Sequence, residues 1–305
     1  MMKKALIVGS LNMDMTFRVE EFAKKGETIF ATSYYESCGG KGANQAVAIA
    51  KLGLETEMLG MVGNDLEGTK LIKNLETFKI KCRILKSDYP SGRAVITVDK
   101  NGDNNIIVLS GSNYMIRKED IDNNIESIKN NDIVILQNEI PEEVIEYTLE
   151  RAKEFEKLTI FNPAPAKKLT EIELKKTDYL ILNETEMEEI FSQNVTDTNF
   201  KEKILVLKKQ KEIKNILLTL GEDGVILFNE KNQIKEFNAY KVNAIDTTAA
   251  GDAFIGAFSS KVLEIGVDEA IKYATAVSAI VVTRKGAQDS IPNVDEIGKF
   301  IKERN

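Results

Sequence analysis

The chain has 305 residues, 43% of them hydrophobic and 29% charged, enough for one large or two small buried cores. Its net charge of −7 gives no general attraction to nucleic acid or to an acidic membrane surface. It contains no histidine, which removes serine–histidine triads, imidazole bases and histidine metal ligands; two cysteines, Cys38 and Cys82, are too few for a four-cysteine zinc site or a disulfide framework.

The opening apolar run is too short for a secretory signal, and no run approaches membrane-spanning length. With two free thiols, this sets the expectation of a soluble cytoplasmic protein. Residues 5–8 read as a buried strand running into a ligand-facing loop at Gly9-Ser10. Helical patterns follow at 41–52, 66–78, 142–156, 184–191, 250–264 and 268–283, and strand-like runs at 57–62, 133–137, 159–161, 179–182 and 216–220. This alternation predicts a doubly wound, mainly parallel α/β sheet flanked by helices on both faces. The lysine cluster at 208–211 reads as a solvated helix face.

Two segments, 13–36 and 91–109, break the rhythm with half-polar alternation, and Asn101-Gly102 is a hairpin signal. They are expected to pair as a small β-sheet lid over a single domain spanning 1–305; a plain surface hairpin is the alternative. Residues just beyond the ends of parallel strands line the ligand crevice. Asn12 and Asp14, Glu139, Asn183 to Glu186, and Thr219 to Gly224 all hold such positions. Each alone is also an ordinary turn or helix cap.

Two glycine-rich helix starts carry more information. In Cys38-Gly39-Gly40-Lys41-Gly42-Ala43-Asn44-Gln45, backbone N–H groups open a helix while Lys41 and Asn44 offer donors suited to sugar hydroxyls. The spacing is not that of a Walker loop, and Gly9-Ser-Leu-Asn12 lacks the later glycines of a dinucleotide fingerprint. In Asp246-Thr-Thr-Ala-Ala-Gly251-Asp252, small residues let an anion approach a helix start. An acidic residue beside such a cradle suits a base taking a proton from an alcohol during phosphoryl transfer. The structural alternative is an N-capping aspartate.

On these residues the chain resembles the ribokinase family of sugar and nucleoside kinases over essentially its whole length. Gly9 to Asp14 is similar to the family's sugar-binding opening, Gly39 to Gln45 to its first signature, and Asp246 to Phe254 to its second. Asn183-Glu-Thr-Glu186 and Val282 to Ser290 resemble two further family segments. The resemblance implies that Asn12, Asp14, Gly40, Lys41, Gly42, Ala43, Asn44 and Glu139 hold the sugar. Asp252 also touches the sugar and is the base. Asn183, Thr219, Leu220, Gly221, Glu222, Asp223, Gly224, Gly251 and Thr275 would lie along ATP, with Glu186 in the magnesium network. A potassium-type ion would take oxygens from Asp246, Thr248, Val281, Arg284, Gly286 and Ser290.

The implied reaction is ATP-dependent phosphorylation of a pentose primary hydroxyl, D-ribose at O5. Deoxyribose, fructose or a nucleoside are the substrates of sister kinases. A homodimer formed through the lid is implied as well. The chain departs from the family at Thr275, where asparagine is frequent, and at Cys38, where proline is frequent.

Overall fold

The computed structural model describes residues 3–304. In chain order the elements are β1 (Lys4–Val8), β2 (Asn12–Arg18), β3 (Ser33–Gly39), α1 (Lys41–Lys51), β4 (Glu55–Gly63), α2 (Leu66–Thr77), β5 (Lys81–Ser87), β6 (Gly92–Val98) and β7 (Asn104–Leu109). Then come α3 (Lys118–Asn123), α4 (Ile125–Asn130), β8 (Ile133–Gln137), α5 (Glu142–Glu154), β9 (Leu158–Asn162), α6 (Glu171–Lys175), β10 (Tyr179–Asn183), α7 (Glu184–Phe191) and α8 (Phe200–Gln210). The last are β11 (Ile216–Thr219), β12 (Val225–Phe228), β13 (Ile234–Phe237), α9 (Ala250–Ile265), α10 (Val267–Val281) and α11 (Val294–Lys302).

Nine strands form one sheet in the order β13-β12-β11-β10-β9-β8-β1-β4-β5, parallel from β11 to β5, with β12 and β13 antiparallel at one edge. Strand β1 shows why both faces are covered. Ala5 and Ile7 join a core with α1, α9 and α10, whereas Leu6 and Val8 join a second core with α5 on the other face. The chain winds outward from β1 in both directions, to β4 on one side and β8 on the other. The loops after β1 and β8 therefore diverge and leave a crevice between them.

The remaining four strands form a second sheet in the order β3-β2-β6-β7, with β2 and β6 parallel and both outer pairs antiparallel. The segments 13–36 and 91–109 thus do meet in one small sheet, although residues 19–32 between β2 and β3 carry no strand. The turn after β6 spans five residues, with Val98 opposite Asn104, and not the two that Asn-Gly favours. The Asp99 carboxylate organises it by accepting from the amides of Asn101 and Asp103.

In the lysine cluster at 208–211, residues 209–211 are exposed as read, but Lys208 departs from the reading. Lys208 is 3% exposed because it falls one helical turn after buried Ile204; its Nζ donates to Asn232 Oδ1 at 3.3 Å.

Candidate active site

The start of α1 is docked into the crevice by groups from both diverging strands. Beyond β1, Ser10 Oγ accepts from the Gly42 amide (3.3 Å) and the Ser10 carbonyl accepts from Ala43 (3.0 Å). Beyond β8, Glu139 Oε2 accepts from the Lys41 amide (3.1 Å) and from Ser10 Oγ (2.5 Å). A carboxylate is well placed at a helix start, where amides lack intrahelical partners and the dipole is positive. Gly42 is required because a Cβ there would lie 2.6 Å from the Ser10 nitrogen. Gly40, at φ +90°, turns the chain into the helix where a Cβ would meet the Asn12 nitrogen at 2.8 Å.

Asn12 and Asp14 lie on β2 of the small sheet, opposite Gly39 and Ser37 of β3. Asn12 is 3% exposed, and its Oδ1 accepts from Asn113 Nδ2 at 2.8 Å. Gly39 leaves room for the Asp14 carboxylate, which a Cβ would approach to 2.0 Å. Burial, then repulsion from Glu139 and Asp252, pushes the Asp14 carboxyl up to about 7 against the pull of Lys41. Burial also acts to lower the Lys41 ammonium. Asp252, Glu139, Glu186 and Asp14 outweigh it and raise Lys41 above the ordinary lysine value. The lysine sits in the field of four carboxylates.

Asp252 is not an N-cap. Ala249 holds the cap position of α9 in a left-handed conformation (φ 58°), and Asp252 sits in the first turn, 8% exposed. Its position follows from packing. A Cβ on Gly256 would lie 2.4 Å from Ala48 Cβ, so the missing side chain lets α9 and α1 touch there. One turn back on each helix, Asp252 comes against Asn44 and Gln45. Asn44 Nδ2 donates to Oδ2 and Gln45 Nε2 to Oδ1, both at 3.0 Å. Gln45 Oε1 in turn accepts from Gln137 Nε2 at 2.7 Å. The amides of Gly251 and Asp252 find no partner among the described residues, whereas that of Ala250 reaches the Thr247 carbonyl at 3.2 Å.

One cleft brings together Lys41, Asn183, Glu186, Thr219, Gly251 and Asp252. Asn183 and Glu186 form a reciprocal capping box on α7, Asn183 Oδ1 accepting from the Glu186 amide and Glu186 Oε2 from the Asn183 amide. The capping role of this pair is present, and it leaves Oε1 of Glu186 free among the described residues. Burial, ahead of Asp252 and Glu189, raises the Glu186 carboxyl against the opposing Asn183 amide and Lys41. Next to Thr219 and Leu220, the residues Gly221, Glu222 and Asp223 make a tight exposed turn. Gly224 closes it at φ +97°, where a Cβ would strike the Phe237 carbonyl at 2.0 Å. Thr275 lies inside α10, and its hydroxyl donates to the Ile271 carbonyl at 2.9 Å, so its hydrogen is not free for a nucleotide.

The segments around 246 and 281–290 are stitched together. Asp246 Oδ1 accepts from the Thr248 amide (2.9 Å) and Oδ2 from the Gly286 amide (3.0 Å). Burial acts to raise the Asp246 carboxyl, but these bonds hold it below the ordinary aspartate value. The Arg284 guanidinium donates to Glu296 (2.6 Å) and, at 3.5 Å, to the Ser290 carbonyl; the residue's only oxygen is its backbone carbonyl. The Val281 carbonyl accepts from the Arg284 amide, and Ser290 Oγ donates to the Ala287 carbonyl.

The profile of the pfkB family carbohydrate kinases matches residues 2–294. The chain belongs to this family. It is 37% identical to the ribokinase of Staphylococcus aureus over 98% of this chain and 100% of that one. It is 35% identical to the deoxyribokinase of Salmonella typhi, with 97% of each chain covered. Among solved structures, the ribokinase of Thermotoga maritima superposes with a TM-score of 0.87 at 42% identity, covering 98% of this chain and 99% of that one. Arabidopsis thaliana ribokinase complexed with ribose and ATP superposes at 0.92 with 28% identity, covering 99% of each.

As a pfkB kinase the protein is a phosphotransferase acting on an alcohol, using ATP with a divalent metal. The site suits such a metal. No group of three or more carboxylate or thiolate ligands converges among the described residues, so the ion would take most oxygens from nucleotide phosphates and water, with the free oxygen of Glu186 at hand. No described helix is long and apolar enough to cross a membrane. Sequence reasoning assigned no role to Ser10, Gln45, Asn113, Gln137 or Gln288. Gln45 stood within the quoted glycine signature, Ser10 within Gly9 to Asp14, Gln288 within Val282 to Ser290 and Gln137 at the end of the run 133–137; Asn113 stood in none of these segments.

Proposed function

We propose that this kinase transfers the terminal phosphoryl group of ATP to the O5 hydroxyl of D-ribose, giving ribose 5-phosphate and ADP. The observation that carries the reading is Asp252, buried and doubly hydrogen-bonded, beside the two unpartnered amides at the start of α9 and in one cleft with Lys41. Asn12, Asp14 and Glu139 supply hydroxyl partners on the α1 side, and Thr219 to Gly224 border the nucleotide side.

A carboxylate is far too weak a base to strip an alcohol in advance. The O5 proton passes to Asp252 as the new O–P bond forms and the bond from phosphorus to the ADP oxygen breaks. Charge gathering on the transferred group meets the free amides of Gly251 and Asp252 and the Lys41 ammonium. Magnesium, where bound with ATP, neutralises charge on the phosphates next to Glu186.

A potassium ion taking oxygens from Asp246, Thr248, Val281, Arg284, Gly286 and Ser290, several of them backbone carbonyls, would order this helix start from outside the reaction path. The ionised Asp246 and its bond to Gly286 support that site. The small sheet acts as the lid of a single domain and carries Asn12 and Asp14 to the sugar. On its edge strand β7, Ile106, Ile107, Val108 and Leu109 are exposed, which supports pairing with a second copy. Two free cysteines support a cytoplasmic location.

ADP release measured with D-ribose, 2-deoxyribose, fructose and adenosine tests the substrate. D-ribose is expected to give the highest kcat/KM. The deoxyribokinase relative makes 2-deoxyribose the second reading, and a preference for it would replace the first.

The sugar KM is expected to depend on pH through Asp14. Above about 7 the group is a full acceptor for sugar hydroxyls; below, it takes a proton. The sugar KM should therefore rise as pH falls, by up to about tenfold per unit below 7, and Asp14→Asn should remove the dependence. A wild-type KM that stays flat between pH 6 and 8 would contradict this.

A further inference from the structure

Gln288 takes no part in the reaction as described, yet it is 6% exposed and fully engaged. It stands in the 286–290 loop, between Gly286, which donates to Asp246, and Ser290, which closes the turn on Ala287. Its side chain points the other way, into α1. Gln288 Nε2 donates to Asn44 Oδ1 at 3.0 Å, and Gln288 Oε1 accepts from Asn74 Nδ2 at 2.6 Å. Its backbone carbonyl accepts from Lys51 Nζ at 3.1 Å, so the loop meets α1 at two points about two turns apart.

The chain of amides has a fixed polarity. A carboxylate only accepts, so Asp252 demands the NH₂ side of Asn44. Asn44 must then present Oδ1 to its other neighbour, and only a donor satisfies it there. Gln288 supplies that donor, and Asn74 satisfies the far end. An Asn44 amide free to flip would turn an oxygen on Asp252 and repel it.

We propose that Gln288 is a positioning residue for Asp252, acting through Asn44 to keep the carboxylate aimed at the acceptor hydroxyl. The proposal rests on Asp252 being the base of the kinase reaction. It also makes the 286–290 loop part of the base's support, since the loop's place against α1 sets where the Gln288 donor stands. Buried amide networks of this kind are high in consequence, because each unmade bond leaves a desolvated group unpaired.

The test is a double-mutant cycle in kcat at saturating ATP and sugar, with Gln288→Met, Asn44→Ala and the double variant, and Asp252→Asn as reference. Methionine keeps the length of glutamine and removes the donor; Gln288→Glu keeps the shape and puts an acceptor against Asn44 Oδ1. Both single Gln288 variants are expected to lose about tenfold in kcat, with the sugar KM changed by less than about threefold. Once Asn44 is alanine, Gln288→Met should cost less than about twofold more. Gln288→Met with kcat within about twofold of wild type, or losses that multiply in the double variant, would overturn the proposal. Asp252→Asn marks the other failure: near-normal turnover there would remove the base and this proposal with it, whereas an inactive Asp252→Asn beside multiplying losses would remove the proposal alone.

Discussion

Asp252→Asn is expected to lower kcat by about 10²–10⁴ or more, while calorimetry still detects sugar binding. The substitution keeps the size of the side chain and replaces the carboxylate that takes the O5 proton with a non-basic amide. Its amide also faces a conflict, since Gln45 Nε2 and Asn44 Nδ2 both donate to the present carboxylate and one of them would meet an NH₂. A buried donor left without an acceptor costs about 1–3 kcal/mol, so a modest fall in melting temperature should accompany the kinetic loss. Turnover within about tenfold of wild type in a folded variant would exclude Asp252 as the base.

Gly251→Ala is expected to separate stability from activity. A Cβ built on Gly251 meets nothing within 4 Å, and its backbone needs no left-handed conformation. The fold should accept the methyl group, and helix propensity favours alanine by up to about 1 kcal/mol. Gly251 nonetheless lines the cleft beside Asp252, at the amides offered to the transferred phosphoryl group. A methyl there holds the phosphate away from the amides, and misplacement by about 1 Å costs about 10²-fold in rate. The expected variant melts at or above the wild-type temperature with kcat/KM for ATP down by about 10²-fold. Wild-type kinetics would show that the phosphoryl group does not approach this turn.

Much of this arrangement is legible in the sequence because it rests on local pattern. The buried run of β1 and the apolar faces of α1, α9 and α10 announce the doubly wound sheet, and strand-end positions announce Asn12, Asp14, Glu139 and Thr219. The glycines matter for reasons that only packing reveals. Gly39 makes room for Asp14, Gly42 for Ser10, and Gly256 for Ala48. The antiparallel strands β12 and β13 escape because four residues each are too few to show a period, and the parallel edge strand β5 because Lys81, Arg83 and Lys86 interrupt its apolar run.

The support around Asp252 is the least legible part. Gln45 lies 207 residues before it, and Gln288 lies 244 residues from Asn44. Buried amides that meet only through tertiary packing leave no repeat or spacing to read. Lys208 shows the same limit from the other side: its charge suggests solvent, but its register after Ile204 and its bond to Asn232 put it inside.

The most direct measurement is phosphorus–proton correlation spectroscopy on the product formed from ATP and D-ribose. The account predicts a single phosphomonoester coupled to the two C5 protons, accumulating one for one with ADP and at least about 10²-fold more slowly with Asp252→Asn. Phosphate on another carbon, or ADP accumulating with inorganic phosphate and no sugar ester, would contradict it.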